Sequence, residues 1–362
     1  MEIVHVVGAR PNFMKAAPAM AALSKRGIAQ TLVHTGQHYD ANMSDVFFQQ
    51  LGMPAPDVNL EVGSGSHAVQ TADVMVRLES VLLERRPSWV VVYGDVNSTL
   101  AAALVCAKLR LRVAHVEAGL RSGDRSMPEE INRLVTDQVA DLLFTPSIDG
   151  NENLTREGVA SEKTHLVGNV MIDTLTRLLP LAVEGQGHKG VSRWRDHRYT
   201  LVTLHRPSNV DDPALLGQFI EVLSELSAEM SVLFPVHPRT RKQIERVVMP
   251  KATENLHLMD PLGYMEFLAL QSKAALVITD SGGIQEETTF LGIPCLTVRD
   301  NTERPVTVTI GTNILVGQDS NRLRNEAWRI FRGGVKKGGV PPFWDGKASE
   351  RIAEIFAATE VT

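Results

Sequence analysis

The chain has 362 residues, 37 Lys and Arg against 42 Asp and Glu, and a formal net charge of −5. The length fits two domains of ~150–200 residues each. A hydrophobic share of 43% and a charged share of 22% are those of a soluble globular protein and exclude a disordered or fibrous chain. Basic residues form no run longer than pairs such as Lys336-Lys337, which read as solvated surface. No nucleic-acid partner is expected without a basic face.

In chain order, residues 3–7 form a short apolar strand, 13–26 a helix and 29–35 a strand. The run WVVVY at 89–93 is nearly continuous and β-branched, as in a strand buried on both faces. An alanine-rich helix at 98–109, a strand at 113–116 and a helix at 129–140 follow, and strands at 142–145 and 165–167 close the series. The pattern breaks between 181 and 197, where the polar, glycine-rich stretch 183–190 marks a domain junction. Alternation then resumes with strands at 200–204, 232–236, 275–279 and 295–298. The helices of this half are 213–229, 240 to about 248, 282–291, 322–331 and 348–358. This order predicts an α/β protein with two doubly wound halves, each on a parallel sheet.

Cys106 and Cys295 sit in apolar runs and read as buried thiols of a reducing compartment. The N-terminus lacks a signal-peptide pattern, and no run reaches the ~20 apolar residues of a membrane span. A cytoplasmic protein without a membrane partner is expected.

Ligands of open parallel sheets bind beyond the carboxyl ends of the strands. There the sequence places Gly8-Ala9-Arg10, Gly36-Gln37-His38, Gly94-Asp95 and Glu117 in the first half. In the second half it places His205, His237 and Asp280-Ser281-Gly282-Gly283. One polar strand end means little. Their accumulation predicts two sheets facing each other across a cleft, with a charged substrate between them.

Each residue also has a plain alternative. Arg10 and Lys15 read as surface charge or as phosphate ligands. Asp95 reads as a cap for the helix near Ser98. Glu129 reads as a first-turn acid with Arg133 as its intrahelical partner. Asp280-Ser281 reads equally as a helix cap or as the edge of an anion site at a helix N-terminus. Glu287 reads as a solvated helix residue or as an acceptor for ribose hydroxyls. His34 and His38 are four apart at a strand end, which discounts a metal site. No Gly-x-Gly-x-x-Gly follows the first strand, so no dinucleotide is expected, and no P-loop or Gly-x-Ser-x-Gly occurs.

Several longer segments together resemble the non-hydrolysing UDP-N-acetylglucosamine 2-epimerases along nearly the whole chain. They are Gly8-Ala9-Arg10-Pro11 with Lys15, Gly94-Asp95 and His115-Val116-Glu117-Ala118-Gly119-Leu120-Arg121. They continue with Met127-Pro128-Glu129-Glu130-Ile131-Asn132-Arg133, Asp280-Ser281-Gly282-Gly283-Ile284-Gln285-Glu286-Glu287 and Arg299-Asp300-Asn301-Thr302-Glu303-Arg304-Pro305.

The resemblance implies two Rossmann-like domains of GT-B type. Residues 1–180 would carry the carboxylates and 181–345 would bind UDP, with a helix at 346–362 returning to the first domain. It implies reversible C2 epimerisation of a UDP-sugar by a homodimer without metal or other cofactor. Asp95, Glu117, Glu129 and His205 become the catalytic candidates. Arg10, Lys15, Arg133, His237, Ser281, Gly282, Gly283 and Glu287 become the substrate and UDP contacts. The chain departs from the pattern at Asn12, at His205-Arg206-Pro207-Ser208, at Val306 and at Gln37-His38-Tyr39-Asp40. The last departure speaks against activation by a second UDP-N-acetylglucosamine. Related enzymes acting on a UDP-diacetamido-uronic acid share much of the pattern, and UDP-sugar glycosyltransferases share the architecture.

Overall fold

A computed structural model describes residues 1–37, 48, 50–185, 191–194, 196–247 and 254–359. They form two compact units, Met1–Thr174 with Pro342–Thr362, and Leu175–Pro341. No helix among the described residues is long and apolar enough to cross a membrane.

The first unit holds a seven-stranded sheet. Its strands are β1 (Glu2–Val7), β2 (Ala29–His34), β3 (Val58–Asn59), β4 (Trp89–Tyr93), β5 (Val113–Val116), β6 (Leu142–Thr145) and β7 (Thr164–Leu166). They run in the order β3-β2-β1-β4-β5-β6-β7, with every pair parallel. The second sheet holds β8 (Tyr199–Thr203), β9 (Ser231–Pro235), β10 (Leu256–Met259), β11 (Leu276–Thr279), β12 (Cys295–Thr297) and β13 (Asn313–Leu315). Its order is β10-β9-β8-β11-β12-β13, again all parallel. Both sheets therefore reverse direction once, between β1 and β4 and between β8 and β11. Loops leaving those strands diverge and open a crevice, the usual ligand position of this topology.

All five residues of β4 are buried, because helices cover both faces of a parallel sheet. The first helix, Arg10–Lys25, starts three residues earlier than its apolar pattern. Pro11 sits in the first turn, where its missing N–H costs nothing. The helix His67–Arg85 has no clear sequence signal. It buries only Gln70, Val74, Leu78 and Leu82, while Val69, Val76 and Leu83 are exposed and blur the period. Residues 183 and 184 belong to the helix Val170–Glu184 rather than to the junction, and 186–190 lie outside the described residues. The helix expected from 240 is Pro238–Ile244, with Val248 outside the described residues. Strands β3, β10 and β13 escape the sequence pattern because they are short or only partly buried. Lys336 is half-buried rather than solvated and donates to the carbonyl of Asn313 at 2.9 Å. Both cysteines are buried, free thiols.

The helix Ala348–Thr359 completes the first unit's core. Phe356, fully buried, sets its ring edge-on to Trp89 and Phe144, with centroids 5.6 Å away in both cases. Asp173 accepts from the N–H groups of Ala348 and Ser349 at 3.1 and 2.7 Å and so holds the start of that helix. Trp344 Nε1 donates to the carbonyl of Pro146 at 2.8 Å.

Candidate active site

In the first unit the crevice is built on the ends of β1, β4 and β5. Gly8 leaves β1 so tightly that a Cβ there would lie 2.2 Å from Ser98 Oγ. Asn12 fixes this turn. Its Oδ1 accepts from the N–H groups of Gly8 and Ala9, both at 3.1 Å, and its Nδ2 donates to the carbonyl of Tyr93 at 2.8 Å. A glutamate in its place has no N–H with which to hold Tyr93. Beyond Tyr93 comes Gly94, at φ +63°, where a Cβ would meet Lys15 Nζ at 2.7 Å and Glu117 Oε2 at 3.2 Å. The bare Gly94 thus makes room for a buried ion pair between Lys15 and Glu117.

Glu117 itself has φ +76°, in the left-handed region that a non-glycine residue enters only at a cost of order 1 kcal/mol. The carbonyl of Phe144 accepts from the N–H groups of Glu117 and Ala118, both at 3.0 Å.

One helix, Pro128–Val139, supports this loop cluster. Glu130 is buried and accepts from the N–H groups of Ser122 and Gly123 at 3.0 and 2.9 Å, as well as from Arg133. Burial opposes its ionisation, but the Ser122 amide and Arg133 prevail and hold it below the usual carboxylate range. Arg133 is buried and bridges Glu130 and Asp95. Asp95 therefore pairs with Arg133 instead of capping the next helix, whose N-cap is Val96. Glu129 is half-buried and lines, with Asp95, His67 and Asn97, a cavity of about 250 Å³. The ionic partner of Arg133 one turn back is Glu130, the neighbour of the expected Glu129.

The second unit repeats the plan on β8, β9 and β11. Asp280, fully buried at the end of β11, accepts from the N–H groups of His205 and Arg206 on one oxygen, each at 2.9 Å. Its other oxygen lies 2.8 Å from His205 Nδ1. Burial works against the Asp280 charge, but His205, the Arg206 amide and Asn209 outweigh it and depress its pKa. The carboxylate thus orients His205, whose side chain remains 41% exposed. His237 opens the helix Pro238–Ile244, and its ring centroid is 6.2 Å from that of His205. Its Nδ1 accepts from the N–H of Arg239 at 3.2 Å. Partial loss of solvent, then the neighbouring His205 and Arg239, hold His237 below its ordinary pKa.

Ser281 is the N-cap of the helix Gly282–Leu291 but makes no side-chain capping bond. A Cβ on Gly282 would lie 2.5 Å from Arg304 Nη1 and 2.7 Å from Glu303 Oε1. Behind it, Arg299, Glu303, Arg304 and Glu286 form a buried ionic network. Glu287, expected as either solvated or ribose-facing, is only 3% exposed. Its oxygens accept from Tyr264 Oη at 2.8 Å and Gln271 Nε2 at 3.0 Å. Burial raises its pKa to about 7.

The structure thus gathers Lys15, Asp95, Glu117 and Arg133 in one unit, with Arg10 exposed at the adjoining helix start. It gathers His205, His237, Ser281, Gly282 and Gly283 at the strand ends of the other, with Glu287 one layer deeper. Composition and spacing do not single out Asn12, His115, Asp137, Tyr264, Gln271 or Arg304 as supports. His115 and Arg304 lie in the family-like segments and Asn12 is one of the departures from them, but nothing in the sequence marks any of the six as a support. Among the described residues no three His, Cys, Asp or Glu side chains are grouped to hold a metal ion. His38, Tyr39 and Asp40 lie outside the described residues.

Two parallel α/β units of Rossmann order, each with ionisable residues on its switch-point loops, define the GT-B class of nucleotide-sugar enzymes. Within that class, the family model for UDP-N-acetylglucosamine 2-epimerase matches residues 21–357. The chain is 42% identical over 363 residues to the UDP-N-acetylglucosamine 2-epimerase of Methanocaldococcus jannaschii, covering 98% of this chain and 99% of that one. It is also 42% identical over 361 residues to the UDP-2,3-diacetamido-2,3-dideoxy-D-glucuronate 2-epimerase of Pseudomonas aeruginosa, covering 99% of both. The crystal structure of the M. jannaschii UDP-GlcNAc 2-epimerase in complex with UDP-GlcNAc and UDP superposes with a TM-score of 0.90, covering 99% of this chain and 100% of that one. The chain belongs to the UDP-N-acetylglucosamine 2-epimerase family.

Proposed function

We propose that this chain interconverts UDP-N-acetylglucosamine and UDP-N-acetylmannosamine by elimination and re-addition of UDP. The hydrogen on carbon 2 is not next to a ketone, so simple enolisation is closed to it. A base takes that proton, the C–H electrons form the C1=C2 bond of 2-acetamidoglucal, and the C1–O bond breaks to release UDP. Re-addition of UDP at carbon 1 with protonation of carbon 2 from the opposite face gives the epimer. Positioned acid and base groups contribute ~10²–10⁴-fold each.

The observation that carries this reading is the cluster of Glu117, Lys15, Asp95 and Arg133 on one switch-point crevice. Asp95, Glu117 and Glu129 serve as acid–base groups, with Arg133 paired to the first and Lys15 to the second, and His205, oriented by Asp280, is the fourth catalytic residue. Arg10, His237, Ser281, Glu287 and the N–H groups at Gly282 and Gly283 receive the nucleotide, where the cation of Arg10 and the helix N-terminus stabilise departing UDP. The enzyme works as a cytoplasmic homodimer and supplies activated sugar for surface polysaccharide synthesis.

A second reading, epimerisation of a UDP-diacetamido-uronic acid, is favoured by the equal identity to the P. aeruginosa relative. Both UDP-sugars, incubated side by side in D₂O and followed by proton NMR, test the proposal. UDP-N-acetylglucosamine should gain deuterium at carbon 2 and equilibrate with its manno epimer. Turnover of the uronic acid alone transfers the assignment to the second reading. Retention of the carbon-2 proton during turnover sinks the elimination mechanism.

A further inference from the structure

We propose that Asp137 is a positioning residue for Glu117, acting from behind the crevice through His115 and Gly119. Asp137 is buried on the inner face of the helix Pro128–Val139. Its two oxygens reach both sides of Glu117 in the chain. Oδ1 lies 2.6 Å from Nδ1 of His115, two residues before, and Oδ2 accepts from the N–H of Gly119, two residues after, at 3.0 Å. The far nitrogen of His115 is 2.7 Å from the carbonyl of Gly94, which can only accept, so His115 Nε2 donates there. One carboxylate thereby ties together the β4 and β5 loops that enclose the Lys15–Glu117 pair. The left-handed backbone at Glu117 persists only where its surroundings over-determine it, and the bonds at residues 115 and 119 supply that constraint. Gly119 has no room for adjustment, since a Cβ there would lie 2.4 Å from the carbonyl oxygen of Gly150.

Charge supports the same role. Arg121 Nη1 sits 2.8 Å from Asp137 Oδ2, while its Nε and Nη2 hold Glu157 at 2.8 and 2.7 Å. Asp137 is therefore fixed by His115 and Arg121 and touches no solvent, which suits a support rather than a proton-transfer group.

The inference rests on the proposed acid–base role of Glu117, so its test has one arm without substrate. The full chain is labelled with ¹³C at glutamate carboxyl carbons, and the Glu117 resonance is assigned by its loss in Glu117→Gln. In Asp137→Asn, which keeps shape but loses charge, the Glu117 titration should move upward by about half a unit or more as its contact with Lys15 loosens, whereas a downward move, which loss of a neighbouring anion alone would give, counts against the proposal. In the epimerase assay the acid limb of the kcat/KM profile should move the same way. There kcat should fall at least ~10-fold while KM and UDP affinity stay within about twofold. His115→Gln, which cuts one of the two ties, should give the same shifts with smaller size and serves if Asp137→Asn does not fold. A folded variant with an unmoved Glu117 titration overturns the proposal, whatever the substrate proves to be. A loss confined to KM overturns it too. An inactive parent chain with a moved Glu117 titration would instead refute the proposed function and uphold the positioning role.

Discussion

Gly94 shows how one absent side chain sets the chemistry of its neighbours. At φ +63° it already favours glycine, and its missing Cβ is the space in which the Lys15 ammonium approaches Glu117. Gly94→Ala should separate that pair. We expect kcat to drop at least ~10-fold while UDP binding, assigned to the other unit, changes less than about twofold. Steady-state kinetics beside calorimetric titration with UDP would check this, and a normal kcat would remove Gly94 from the account. Asn12 is the reverse case. As a departure from the family pattern it looks like a weakness in the sequence, yet its amide makes three bonds that close the β1 turn onto β4.

Among the elements, two helices carry the site in different ways. The helix Pro128–Val139 offers Glu130, Arg133 and Asp137 at spacings of three and four, so one face holds the loops after both β4 and β5. The helix Gly282–Leu291 offers its N-terminus, with free N–H groups and no side-chain cap. Gly282→Ala should press on Arg304 and Glu303, which cannot retreat from their buried network. UDP affinity should fall about tenfold, near 1.4 kcal/mol, in a calorimetric titration. An unchanged Kd would place the phosphates elsewhere.

The long apolar strands β4, β8 and β11 and the motif-bearing loops after them are legible in the sequence, because strand burial and ligand chemistry both constrain local residue types. Helix His67–Arg85 is not, since its buried stripe is narrow and Val69, Val76 and Leu83 are scattered over its outer face. The links from Asp137 to His115 and from Arg133 to Asp95 join residues 22 and 38 positions apart, and no local pattern encodes such a pairing.

For the molecule as a whole, one buried group in each unit contributes a pH dependence, and the two contributions have opposite sign. His5, in the first unit, has its pKa lowered by burial from 6.5 to about 4, despite its bond with Gln30. Between those values the folded state binds fewer protons than the unfolded one, so this stability is complete above pH 6.5 and lost as pH falls. Glu287, in the second unit, is raised from 4.5 to about 7, so its stability is complete below pH 4.5 and lost as pH rises through 7. Each gap corresponds to about 3 kcal/mol. Hydrogen exchange resolved by unit between pH 5 and 7.5 should show His5→Gln flattening the acid-side loss in the first unit. It should also show Glu287→Gln flattening the alkaline-side loss in the second. Unaltered slopes in both variants would discard these two groups as the source.

The first unit is discontinuous, with Pro342–Thr362 returning after the entire second unit. During synthesis, the slot between Trp89 and Phe144 must stay unfilled until Phe356 has left the ribosome. A chain halted before that point carries a greasy gap, a mark by which chaperones and proteases can tell unfinished copies from finished ones.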